Sequence, residues 1–319
     1  MPNPLQVCVF LDKLLTEANK LKDFTFQAHQ KLLESLQASS YSFITFSEYL
    51  ENKYAEKFII LRHDVEQSYE NALKFAQIQH QLGIKGTYYF RILPKCFQPK
   101  IVKQIADLGH EVGYHYDDLA QCKGDYQKAI VRFEKNLNTL REIAPIKTIC
   151  MDGSPLSKYD NKDLWNPTPN TWHPSLSFQD FGIIGEPYFN IDFNEVFYLT
   201  DTGRKWDGWK TSVRDKVPQQ EEWVKQGLVF HSTQDIIRAL ESVVTPAPEL
   251  VDTPAPELVE GSVTPEPLEG SVKQALLKVP NQIMFTFHPQ RWTEGGIPWL
   301  KELVLQNAKN LAKSFIVKR

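Results

Sequence analysis

No stretch of this 319-residue chain approaches the roughly 18 consecutive apolar residues of a membrane-spanning helix, so no span is expected. There is no long basic run either, and the net charge is −3, which argues against a nucleic-acid or membrane-surface partner. The opening "MPNPLQVCVFLDKLLTEANK" lacks a basic n-region, and Asp12 and Lys13 interrupt its apolar stretch; it does not read as a secretory signal, and a cytoplasmic location is expected. The four cysteines (Cys8, Cys96, Cys122, Cys150) lie far apart in no metal-binding spacing, as reduced, isolated thiols do. No glycine-rich phosphate loop follows any apolar run, which weakens a nucleotide-binding reading. What remains is a soluble, globular composition, 42% hydrophobic and 24% charged, long enough for one large α/β domain.

One stretch departs from that composition. Residues 245–272 contain "TPAPELV" twice, eight residues apart, and then a decayed copy, "TPEPLE". Six prolines within 245–270 exclude helix and central strand. The same residues carry six acids and no base, so without them a net charge of −3 becomes +3. Such a segment buries too little apolar surface to offset its ordering entropy, and a disordered, solvated insertion is expected.

From residue 57 strand-like and helix-like segments alternate. "KFIILRH" is an unbroken apolar run, as expected of a strand covered on both faces. The next helix puts Tyr69, Ala72, Leu73 and Ala76 on one face and stops at Gly83. "GTYYFRI", "HEVGYH", "KTICM", "VFYLTD" and "IMFTFHP" continue the strands, with helices between most of them and a last helix near 297–314. This rhythm predicts a parallel sheet forming an α/β barrel, complete or incomplete, over 57–319, with a doubly wound open sheet as the alternative. Residues 1–56, with an amphipathic "QVCVFLDKLLTEANKL" and a strand-like "YSFITF", are expected to pack on the barrel as an extension.

In parallel α/β folds ligands gather at the carboxyl ends of the strands. Here those ends read "RHDVE", "YHYDD", "CMDGSP", "YLTDTG" and "FTFHPQ". A single aspartate after a strand is usually a helix cap, but five strand ends bearing His or Asp point to a site. Strand alternation separates the histidines of "GHEVGYHYDD". His110 and His115 are an odd number of residues apart and face opposite ways; His115, at the C-terminal end, is the one expected in the mouth. Neutral imidazole with carboxylates from several strands suits a divalent metal such as zinc, and metal-assisted hydrolysis is the reaction class indicated. Trp165, Trp172, Trp206, Trp209 and Trp292 could stack on sugar rings or simply pack the loops.

In this order and rhythm, "RHDVE", "GHEVGYHYDD", "YLTDTG" and "FTFHPQRW" resemble the polysaccharide deacetylases of carbohydrate esterase family four. The resemblance covers roughly 57–240 and 280–315. It implies a distorted (β/α) barrel of about seven parallel strands that removes acetyl groups from an amino sugar or glycan precursor, acting on C–N bonds other than peptides. It assigns Asp64 as general base and His288 as general acid. A metal-binding Asp of the family falls on Val65 and its second metal histidine on Leu119, so Glu66 and Asp118 are the expected substitutes beside His115. Asp152, Asp201 and Trp292 are the expected substrate contacts. The branch it resembles most accompanies surface-polysaccharide clusters, where the implied partners are nucleotide-linked or lipid-linked sugar precursors. The alternatives are a catalytically inactive barrel that binds carbohydrate, and an amidohydrolase for a small non-sugar substrate.

Overall fold

In β2 (Phe58–Val65) all eight residues are buried, because alternate side chains enter two different cores. Phe58 and Ile60 join an inner cluster, while Ile59, Leu61 and Val65 join an outer cluster under the helices. The computed structural model describes residues 22–166, 176–207, 212, 214–244 and 279–317. The amphipathic segment before residue 22 and the repeat insertion at 245–272 lie outside them.

Around β2 a parallel sheet is built from β1 (Ser42–Ile44), β3 (Thr87–Phe90), β4 (Glu111–Tyr116), β5 (Ile149–Met151), β6 (Phe197–Thr200) and β7 (Gln282–Phe287). The strand order is β5-β4-β3-β2-β7-β6, and β1 also pairs with β2. One edge of β2 is divided: Phe58–Ile60 pairs with β1, and Arg62–Val65 with β3. The sheet curls into a half-barrel, since β5 and β6 end it without pairing with each other. A single Thr148–Gly185 bridge extends it past β5. The expected α/β barrel is therefore present in an open form.

The described helices are α1 (Phe26–Ala38), α2 (Phe46–Leu50), α3 (Tyr69–Gln81), α4 (Pro99–Asp107), α5 (Asp118–Gln121), α6 (Tyr126–Arg141), α7 (Pro187–Asn190), α8 (Gln220–Lys225), α9 (Thr233–Val244) and α10 (Gly296–Val317). α3 buries Ala72, Phe75 and Ala76, and Gly83 after it takes the left-handed φ of +69° that stops the helix. The segment before residue 57 is more than a covering. It supplies a strand to the sheet, and Ile44 and Phe46 enter the inner cluster beside Phe58 and Ile60. On β4 the alternation leaves Gly113 facing inward, where the Tyr89 ring occupies the place of a Cβ. Only glycine lets that ring cross the interior.

Candidate functional site

Arg62 and Asp64 are two residues apart on β2 and share its inward face. Arg62 Nε donates to Asp64 Oδ1 at 2.9 Å and Nη2 to Oδ2 at 2.6 Å, a two-point fork with both side chains almost wholly buried. His63, between them, faces outward. Its Nδ1 donates to the Thr87 carbonyl at 3.1 Å and its Nε2 accepts from Gln79 at 2.7 Å. Burial drives its pKa far down, so it is a neutral core histidine.

The two histidines of "GHEVGYHYDD" separate as alternation requires. His110 Nε2 donates to the Ala76 carbonyl at 2.9 Å and its Nδ1 accepts from Gly86 N–H at 3.1 Å, outside the sheet. His115 points inward. Its Nδ1 donates to the Cys150 carbonyl at 2.9 Å, so that in a neutral ring the lone pair lies on Nε2. That Nε2 is buried and has no hydrogen-bond partner among the described residues; it lies 3.8 Å from Asp64 Oδ2 and 3.7 Å from Asp152 Oδ2.

Among the described residues two groups of side chains could hold a cation there, and both contain His115. Asp64, His115 and Cys150 form one; Glu66, His115 and Asp152 form the other. Within each, the ligand atoms lie within 4.8 Å of one another. Ligand atoms bound about 2.1 Å from one zinc ion lie roughly 3–4 Å apart, so the separations around His115 Nε2 suit a divalent ion. The orphaned lone pair is the independent sign that the residues fit a metal.

Asp118 does not join them. Strand alternation ends at Tyr116, and α5 turns Asp118 to the outer side. There Tyr114 Oη donates to both of its oxygens, at 3.0 and 2.8 Å, and Arg132 and Asn136 donate to Oδ1. Burial pushes its carboxyl up to about 7 against the pull of Arg132. Asp152, expected as a substrate contact, lies beside His115 and is paired with Arg91 at 3.3 Å. Leu119 is buried in the outer cluster.

At the end of β7, His288 Nδ1 donates to Asp201 Oδ1 at 2.6 Å, and its backbone N–H donates to Oδ2 at 2.9 Å. Arg291 and Trp292 Nε1 complete the set around Asp201, at 2.7 and 2.6 Å. Burial and Arg291 oppose protonation of His288, yet the Asp201 and Glu66 carboxylates outweigh them and hold its pKa above the ordinary value. Its Nε2 faces Glu66 Oε1 at 3.7 Å. Asp201 and Trp292, expected as substrate contacts, are wholly buried and direct their polar side-chain atoms to this set. Trp206 is buried too, and Trp165 packs among Phe133, Phe178 and Phe181; Trp172 and Trp209 lie outside the described residues.

Sequence reasoning passed over three members of this region. Arg62 was legible from its two-residue spacing to Asp64. Cys150 ends up beside His115 because β5 pairs with β4 in that register. Asp215 had no signal. It accepts from the hydroxyls of Tyr188, Tyr198, Thr200 and Thr202, and burial notwithstanding, His288, Arg62 and these donors hold it well below the ordinary carboxylate range. Arg62, Asp64, Glu66, Tyr188, Asp215 and His288 are among the residues lining one chamber of about 90 Å³. The chain matches no protein-family model, no curated protein and no solved structure.

Proposed function

We propose that the chain is a metal-dependent hydrolase of the polysaccharide-deacetylase kind, removing acetyl groups from an amino sugar or a glycan precursor. The observation that carries this reading is the buried, unpartnered Nε2 of His115 between the Asp64 and Asp152 carboxylates, with Nδ1 fixed by a carbonyl. His115 with Asp152 and Glu66 would hold the ion, leaving Asp64 to act as base. A divalent cation such as zinc supplies Lewis acidity, making water a better nucleophile at neutral pH and drawing charge from an acyl oxygen.

The chain's own groups divide the remaining work. Arg62 fixes the plane of the Asp64 carboxylate, and Asp64 takes the proton of the attacking water as it adds to the acyl carbon. His288, whose pKa Asp201 raises, gives its Nε2 proton to the departing amine. Asp201 thereby acts through His288 as a positioning residue. Both Asp64 and His288 line the same chamber, which supports pairing a base with an acid there.

Cobalt titration of the purified protein, followed by visible absorption, tests the metal part of this reading. One equivalent of tetrahedral cobalt is expected, displaced by zinc and lost in His115→Ala. Absence of any cobalt band, or an unchanged band in His115→Ala, would exclude His115 as a ligand.

A further inference from the structure

Beside the reaction chamber lies a larger cleft of about 930 Å³, and Glu66, Pro155 and Arg291 line both. It is several times the size of the chamber, with room for more than an acetylated monosaccharide. Its charges are unevenly compensated. Of its acids, Asp152 is paired with Arg91, Glu66 accepts from Gln290, and Glu302 exerts its field on Arg204. Among the described residues no ion pair involves its lysines Lys123, Lys158 and Lys309.

The first two of these lysines sit on fixed backbone. Arg214 Nη1 donates to the Gly153 and Ser154 carbonyls at 2.6 and 2.8 Å, and Nη2 to that of Ser157 at 2.9 Å, pinning the loop that carries Lys158. The Lys158 ammonium lies over the Tyr159 ring, 5.0 Å from its centroid. The same ring packs where a Cβ of Gly124 would stand, and Lys123 just before it is held at φ +54°. Two ammonium groups that form no ion pair among the described residues are thus carried on neighbouring turns locked together by one tyrosine. Lys309 comes from α10, whose Glu302 and Gln306 also line the cleft.

We propose that this cleft binds an oxyanion carried by the substrate, so that the molecule presented to the chamber is an anionic sugar derivative, a sugar phosphate or diphosphate or an acidic glycan, rather than a neutral one. The assignment rests on the deacetylase reading for the word substrate, but the oxyanion site itself stands without it. An oxyanion on the lysines would fix the sugar at a distance from the reacting bond, and such remote binding energy can be spent on orienting the acyl group.

The test is calorimetric binding to the full chain, dialysed free of divalent metal, of inorganic pyrophosphate, of tri-galacturonate, and of neutral tri-N-acetylglucosamine. Pyrophosphate or the uronate is expected to bind, more weakly as salt is raised, and about tenfold more weakly in Lys123→Gln/Lys158→Gln. Lys225→Gln, on a different surface, should leave binding unchanged. Preference for pyrophosphate identifies a phosphate-bearing substrate and preference for the uronate an acidic glycan; both support the proposal. Neither anion binding, or the neutral trisaccharide binding more tightly than both, would overturn it. None of these arms requires metal or turnover, so failure of the deacetylase reading would leave the result interpretable.

Discussion

Asp201 grips His288 twice, accepting from Nδ1 at 2.6 Å and from the backbone N–H at 2.9 Å, and Arg291 and Trp292 hold Asp201 in turn. The carboxylate raises the pKa of the imidazole, so His288 is an acid whose proton is lost only as pH rises through that elevated value. Asp201→Asn should therefore move the alkaline limb of the kcat profile to lower pH. Acid catalysis of this kind is worth ~10²–10⁴-fold, and a loss of about 10²-fold in kcat is expected. Proton NMR of the His288 ring should show the same fall in pKa. An unshifted limb would separate His288 from the proton transfer.

The Arg62–Asp64 fork makes a second prediction. Asp64→Asn should abolish turnover, and it also leaves a buried guanidinium short of its nearest counter-charge. Breaking such a pair costs ~3–5 kcal/mol, and Asp215, which feels the Arg62 charge, argues for the lower end. Arg62→Met/Asp64→Asn should recover part of that loss in urea unfolding. If the double variant is less stable than Asp64→Asn alone, the pair is not the source.

The buried histidines should make the fold less stable as pH falls from 6.5 toward 4, a loss that the raised Asp118 carboxyl, which works in the opposite direction, offsets in part. His29 and His110 are buried and driven down to about 3 and about 4 by desolvation, from the ordinary 6.5. Both are neutral in the folded protein, so the unfolded chain takes up protons first. The stability they allow is full above pH 6.5 and declines as pH falls toward 4 and below. His29 Nδ1 has no hydrogen-bond partner among the described residues, and the ring stacks on Phe75 at 3.9 Å. His29→Leu should therefore flatten the decline of the urea midpoint between pH 6.5 and 4 with little loss at pH 7. An unchanged slope would show that other groups govern it.

Gly113→Ala puts a methyl group into the Tyr89 ring and 2.8 Å from the Thr148 carbonyl. Overpacking of this kind costs ~1–3 kcal/mol, and about 2 is expected from chemical denaturation. A change under half a kcal/mol would mean that the ring has room to move.

Much of this site follows from period-two alternation, which separates Asp64 from His63 on β2 and His115 from His110 at β4. The rule fails where the strand ends. Tyr116 is the last residue of β4, so Asp118 follows helix geometry and goes to Arg132 and Asn136 instead of to His115. Strand ends also do not reveal depth. Asp201 and Trp292 arrive at the expected mouth but lie beneath His288, where hydrogen bonds to neighbours consume them. Asp215 sits in a long polar stretch without periodicity, and only the folding of Tyr188, Tyr198, Thr200 and Thr202 around it makes it part of the chamber. The strand rhythm allows a complete or an incomplete barrel, because alternation of strands and helices does not say whether β5 and β6 meet.

The most direct test of the central claim is acetate release from N-acetylated amino sugars, measured with zinc, cobalt and manganese for the native chain and His115→Ala. The account predicts turnover that depends on added metal in the native chain and falls by at least about 10²-fold in the variant. Acetate released equally by both, or by neither with any of the three metals, would contradict it.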